Sequence, residues 1–185
     1  MPFLLGLIGP YVSWSLTGWF PTDKLASKIN SDENGAQFAL IVGARLGKHV
    51  ALEAFTAPPM NSDQPTIDVR GVDVKLMWPL GRYVTPYARL RLARMTVDFE
   101  TIAGHTPELT GLGGGEGIGL QVQFPGRMFG LLLPAWFAAP FGFKGVGGIW
   151  TEVTHEAYDL APRVGRGATE HFWRYAYGVA WGTAF

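Results

Sequence analysis

The sequence predicts an all-β fold, an eight-stranded antiparallel up-and-down barrel with its large side chains outside, and three observations predict it. The first is alternation. In the closing stretch His171–Phe185, every second position reads Phe185, Thr183, Trp181, Val179, Tyr177, Tyr175, Trp173, His171, against Ala184, Gly182, Ala180, Gly178, Ala176, Arg174, Phe172. Period two is the signature of a strand. The second is the polarity of the two faces. The non-apolar face is small rather than polar, which suits the crowded inside of a narrow barrel. The large face carries Trp and Tyr toward its ends, as a lipid-facing strand does at its two interfaces. The third is rhythm: eight such segments are joined by long polar loops alternating with shorter turns, and an even count puts both chain ends on one side.

Taken in order, strand one is expected at Pro10–Phe20, with Val12, Trp14 and Leu16 toward lipid. Pro21–Gly35 is polar and turn-rich, a long loop. Strand two is Ala36–Leu46, Gly47-Lys48 a tight turn, and strand three about His49–Thr56. Ala57–Pro65 is a second outer loop. Strand four, Thr66–Trp78, sets Val72, Val74, Leu76 and Trp78 opposite Asp73, Lys75 and Met77. Ile67 and Val69 fall out of step with that pattern, which predicts a bulge near Arg70-Gly71.

Pro79–Arg82 is a short turn. Strand five, about Tyr83–Phe99, turns Ala88, Leu90 and Leu92 out and Tyr87, Arg89 and Arg91 in, with a poorer phase past Arg94. After an outer loop at Glu100–Thr110, strand six (Gly111–Phe124) opposes Ile118, Leu120, Val122 and Phe124 to Gly117, Gly119, Gln121 and Gln123. Strand seven is about Gly148–Tyr158, followed by a fourth outer loop, Asp159–Glu170, and the closing strand.

Between strands six and seven, Pro125–Gly147 is apolar without alternation and is broken by Pro134 and Pro140. It is too short and broken for a spanning helix. A ninth strand would put the terminus on the wrong side. The stretch is therefore expected as a short interfacial helix or hairpin against the inner leaflet, or as an extension of strands six and seven. An exposed run such as Leu131, Leu132, Leu133, Trp136, Phe137, Phe141 and Phe143 is poorly suited to water, so it is a candidate for docking a periplasmic or membrane protein partner.

Composition narrows the classes. At 185 residues one domain, 1–185, is expected, and a net charge of zero gives no electrostatic case for nucleic acid. No window reaches the run of about 18 apolar residues that a membrane helix requires, which leaves a barrel open. There are no cysteines, hence neither disulfides nor thiolate chemistry. The start, MPFLLGLIG, has no basic n-region, so the chain is read as a mature one with an added or retained Met.

GARLGKHVALEAF (43–55), VDVKLMWPLGRYVTPYARLRLA (72–93), GGGEGIGLQVQF (113–124) and YAYGVAWGTAF (175–185), in that order and spacing, resemble the small outer-membrane β-barrel family: the transmembrane domain of outer membrane protein A and its OmpX-like relatives. The apolar insert departs from that pattern. The resemblance implies an integral protein of the bacterial outer membrane, in contact with outer-membrane lipid and presenting loops at the cell surface. It implies no single activity.

On this phasing Arg45, Lys75, Arg89, Arg91 and Arg174 point inward, as do Glu53, Asp73, Glu152 and Glu156. An eight-stranded interior is just wide enough for side chains, and buried charges of both signs should pair. The expected result is a salt-bridged plug rather than an open pore, and a non-enzymatic protein without cofactor or metal. Glu152 and Glu156 are about 13 Å apart along one strand face, too far for paired acid–base work. The alternatives are a narrow ion pore and an enzyme acting on lipid A or phospholipid. The enzyme would use His155 or His171 as base, although the serine of the lipid A deacylase pattern is missing two residues after His155. A metal held by these histidines with Glu156 or Glu170, and a soluble lipocalin-like barrel with its large faces inward, complete the set.

Overall fold

The computed structural model describes residues 8–21, 35–58, 66–98, 108–124, 147–162 and 169–184. They form eight strands: β1 Ile8–Pro21, β2 Gly35–Leu46, β3 Val50–Ala57, β4 Thr66–Met77, β5 Val84–Asp98, β6 Glu108–Phe124, β7 Gly147–Pro162 and β8 Glu170–Ala184. Each pairs antiparallel with its neighbour in sequence, and β8 pairs back onto β1 to close the barrel. Closure leaves no unpaired strand edge. A row of cross-strand partners followed from Tyr11 through Gly43, Glu53, Asp73, Arg91, Gly115, Glu156 and Arg174 returns to β1 at Pro21, a stagger of ten residues. The strands are therefore strongly tilted, and each later strand sits higher along the row.

The lower end carries the short turns. Gly47 (φ 73°) and Gly81 (φ 75°) take the left-handed conformation there. Above them the wall is apolar outside. Val42, Leu52, Val72, Val74, Leu76, Leu90, Ile118, Leu120 and Val153 are all exposed, whereas Glu53, Asp73, Lys75 and Arg89 are at most 5% exposed. A soluble barrel would show the reverse. Along β5 the outward apolar run from Val84 to Leu92 rises about 20 Å at the usual strand rise and tilt, near the ~25 Å band of a membrane barrel. Exposed Trp78 and Tyr83 lie at its lower margin, and Tyr175 and Tyr177 at its upper one. These are the places where amphipathic rings meet lipid head groups.

Above the band the polarity inverts. Ile67, Val69, Met95, Val97, Tyr158 and Leu160 point into the barrel and are buried in one apolar cluster with Ala39, Ile41, Phe55, Ala57, Ala93 and Ala176. The outward positions on the same strands are Asp68, Arg70, Arg94, Thr96, Asp98 and Asp159. No bulge occurs at Arg70-Gly71: pairing on both sides of β4 runs unbroken from Val69 to Leu76. Ile67 and Val69 keep the strand's phase, and it is their surroundings that change. The poorer phase past Arg94 has the same cause.

For that reason too, the strands outrun their expected ends. Glu108 to Thr110 belongs to β6, and Asp159 to Pro162 belongs to β7. Glu108, Thr110 and Asp159 read as loop by composition, but they lie on the watered face of a rising sheet. The apolar stretch 125–146 lies outside the described residues.

Candidate functional site

The lumen of the lower half is built from charge. On β3 and β4, Lys75 Nζ is 2.8 Å from Glu53 Oε1, and the Tyr11 hydroxyl donates to the same carboxylate. Lys75 also lies 4.7 Å from the Tyr87 ring and 5.4 Å from that of Trp150, a cation held over two aromatic faces. Higher up, Arg91 donates through Nε and Nη2 to the two oxygens of Asp73, both at 2.8 Å, and through Nη1 to Glu156 at 2.8 Å. The bidentate fork is the strongest geometry available to this pair. Arg89 pairs with Glu152 and lies 3.6 Å from Asp73 and 3.7 Å from Glu156. Tyr87 donates to Glu152 at 2.9 Å and Tyr158 to Glu156 at 2.8 Å. Arg91 is stacked 3.8 Å over the ring of Phe55.

The local reason these groups meet is β6. Arg89 and Arg91 are on β5 and their partners Glu152 and Glu156 on β7, so the bridges must cross the strand between. There β6 presents Gly115, Gly117 and Gly119 to the lumen. A Cβ at Gly115 would fall 2.7 Å from Glu156 Cγ, at Gly117 2.5 Å from Thr154 Cγ2, and at Gly119 2.3 Å from the Tyr87 ring. Any larger residue would close the crossing.

Of the nine residues expected to line the lumen, seven form this network: Glu53, Asp73, Lys75, Arg89, Arg91, Glu152 and Glu156. Four carboxylates meet three cations among them. Arg45 stands apart near the lower mouth, 6.0 Å from the Tyr11 ring. With the Gln123 amide oriented to present its oxygen, Arg45 donates to it at 2.7 and 3.0 Å. The backbone of Arg174 pairs with Glu156, and its side chain lies outside the described residues. So do Leu131, Leu132, Leu133, Trp136, Phe137, Phe141 and Phe143. Sequence reasoning missed Tyr11, Tyr87, Tyr158 and Phe55, which complete the network. Their inward parity was visible in the sequence, but their partners depend on register.

His155 and His171 lie on the outer wall. His155 Nδ1 is 3.1 Å from Glu116 Oε1, and its ring packs against that of Tyr175 with centroids 5.0 Å apart. His171 Nδ1 is 2.5 Å from Asp159 Oδ1, above the band. The two histidines thus bond to different carboxylates, and among the described residues no group of three His, Asp or Glu is placed to hold a metal. On the upper wall Arg70 and Arg94 are direct cross-strand partners beside a hollow of about 420 Å³ that is also lined by Asp68, Thr96, Asp98 and Glu108. Arg70 is held by Asp68 at 2.6 Å, and Arg94 donates to Thr110 at 3.1 Å.

A closed eight-stranded barrel with an apolar girdle outside and ion pairs inside defines a class: the small membrane-spanning β-barrels. Comparison of the fold agrees. It is similar to Neisserial surface protein A (NspA), with a TM-score of 0.60 over 95% of this chain and 97% of that one at 10% identity. It is also similar to the N-terminal β-barrel domain of Pseudomonas aeruginosa OprF, with a TM-score of 0.51 over 93% of this chain and 96% of that one at 12% identity. The chain therefore has the fold of the small outer-membrane barrels. No protein-family description and no curated protein matches its sequence.

Proposed function

We propose that this chain is a non-enzymatic integral protein of the bacterial outer membrane. Its barrel is a closed anchor, plugged by ion pairs, that carries the upper sheet and its connections out from the membrane as a surface for recognition. The observation that carries the reading is the cross-linked lumen. Each of the seven charged side chains has a partner of opposite sign, and the bridges span β3 to β7 at mid-height. A buried network in which each charge faces one of opposite sign is tolerable, whereas a lumen open to ions would leave its charges to water. Planar-bilayer recording tests this: the wild-type barrel gives no discrete conductance steps, and regular single-channel openings would replace the plug with the narrow-pore reading. Docking of an envelope partner through Leu131–Phe143 belongs to the same proposal. Deleting residues 128–146 should change the oligomeric state or co-purifying proteins, and no change in either would remove it.

A second reading has one observation in its favour. His155 and His171 are each oriented by a carboxylate on the outer wall, as the base of a hydrolase requires. An enzyme acting on lipid A or phospholipid would lose turnover in the His155→Ala, His171→Ala double variant. Absence of any wild-type turnover ends this reading.

A further inference from the structure

The zero net charge conceals an unequal distribution. The stretches that make or join the strands at the lower end, 44–50, 77–85 and 121–149, hold no Asp or Glu. They hold five cations: Arg45, Lys48, Arg82, Arg127 and Lys144. On the upper wall both signs are interspersed, with Asp68, Asp98 and Glu108 around Arg70 and Arg94.

Two of the lower cations stand in the short turns. Lys48, between β2 and β3, and Arg82, between β4 and β5, are both exposed. The turns adjoin, because Met77 at the end of β4 donates its N–H to the His49 carbonyl at 2.7 Å. Among the described residues neither cation is paired with a carboxylate, and Arg82 lies 5.7 Å from the Tyr83 ring. Beside them are the exposed rings of Trp78 and Tyr83, at the lower margin of the apolar band. From that margin a groove of about 760 Å³ runs up the wall, with Trp78 and Pro86 at its foot and Ile118, Val153 and Tyr177 above. The Trp78 N–H donates to the Pro86 carbonyl at 2.9 Å, so the foot of the groove and the turn bearing Arg82 belong to one hairpin.

We infer that this end binds an anionic phospholipid of the periplasmic leaflet, its phosphate held by Arg82 and Lys48 and an acyl chain in the groove. The inference rests on the outer-membrane reading above, which sets the short turns at that leaflet, and extends it to a lipid class. The distribution of charge selects the head group. A glycerol phosphate meets cations alone, which attract an anionic lipid surface. A choline or ethanolamine head brings its own cation to an end with no side-chain carboxylate to receive it. An acidic protein would need neither the groove nor the aromatic margin. A second copy docked symmetrically through this end would set cation against cation.

The test uses the whole chain refolded in detergent. It is incubated with phosphatidylglycerol, phosphatidylethanolamine or phosphatidylcholine of identical acyl chains and weighed by native mass spectrometry. Expected is retention of phosphatidylglycerol about tenfold in preference to the other two, the scale of two basic side chains at an anionic surface. The Lys48→Gln, Arg82→Gln double variant should abolish that preference while keeping heat-modifiable migration on a gel. Arg70→Gln with Arg94→Gln, on the upper wall, should leave it unchanged. Thr151→Leu, which fills the groove from its exposed wall, should weaken retention of all three lipids. Equal retention of the three by the wild type would leave the basic end to an acidic protein and overturn the inference. So would a preference that survives the Lys48, Arg82 double variant, an equal loss from the upper pair, undiminished retention by Thr151→Leu, or a mass showing a second protein copy in place of lipid. Each of these leaves the barrel reading intact. A chain that is water-soluble without detergent and shows no heat-modifiable form would overturn both.

Discussion

The two halves of this barrel use one set of strands in opposite ways. In the lower half Val72, Val74, Leu90 and Ile118 are outside while Asp73, Lys75, Arg89 and Glu152 are inside. In the upper half Val69, Met95, Val97 and Leu160 are inside, with Arg70, Arg94 and Asp159 outside. β4 and β5 pass from one regime to the other without a break in pairing. The hydrogen-bonded frame is therefore indifferent to which face is apolar. What decides is the medium outside: hydrocarbon below, water above. Stability then has different sources at the two levels. Below, it depends on ion pairs being complete. Above, it depends on ordinary apolar burial, as in a soluble sheet.

That contrast can be broken at either level, and the largest effect is expected in the lumen. Arg91→Met leaves Asp73 and Glu156 buried without their closest cation, in a network already one cation short. Removing one partner of such a pair costs about 3–5 kcal/mol. Urea unfolding of the barrel in phospholipid vesicles measures it, and a loss below about 1 kcal/mol would mean that the lumen is hydrated rather than plugged.

Next comes the upper core. Met95 is fully buried, so Met95→Ala should cost about 2–5 kcal/mol by the same measurement. An unchanged midpoint would show that the upper cluster is not packed. On the exterior, Val74→Arg places a charge near the middle of the band, where it costs about 2–4 kcal/mol. The matching change above the band, Thr96→Arg, should stay within about 0.5 kcal/mol. Equal penalties for the two would erase the distinction between the halves. The smallest effect is expected at the exposed Arg70–Asp68 pair, where Asp68→Asn should leave the unfolding midpoint where it was.

Much of the lower half was legible in the sequence, because alternation of Val72, Val74 and Leu76 with Asp73, Lys75 and Met77 states both faces at once. Parity alone located the seven charges of the network. The upper half was harder to read. Glu108, Thr110 and Asp159 have the composition of loops, and Ile67 and Val69 look like a slip when lipid is assumed outside along the whole strand. A polar residue facing water on a sheet and a polar residue in a loop are alike in sequence, and only pairing tells them apart. Register was hidden as well: that Tyr158 reaches Glu156, and that Arg91 reaches it across glycine, follows from which residues stand opposite. Glu116 shares its outward parity with Ile118 and Leu120 in the sequence, yet its contact with His155 depends on which residue of β7 stands opposite.

The inversion itself is tested most directly on β5, whose outward residues run from Ala88 through Leu90, Leu92 and Arg94 to Thr96 and Asp98. The chain has no cysteine, so single substitutions to cysteine can be read without background. Spin-labelled at each position in a bilayer, the barrel should show oxygen-accessible, lipid-like sites at 88, 90 and 92 and sites accessible to a water-soluble paramagnetic ion at 96 and 98, with the crossover at 94. A lipid-like signal continuing to 98, or a water-accessible one at 90, would contradict the account.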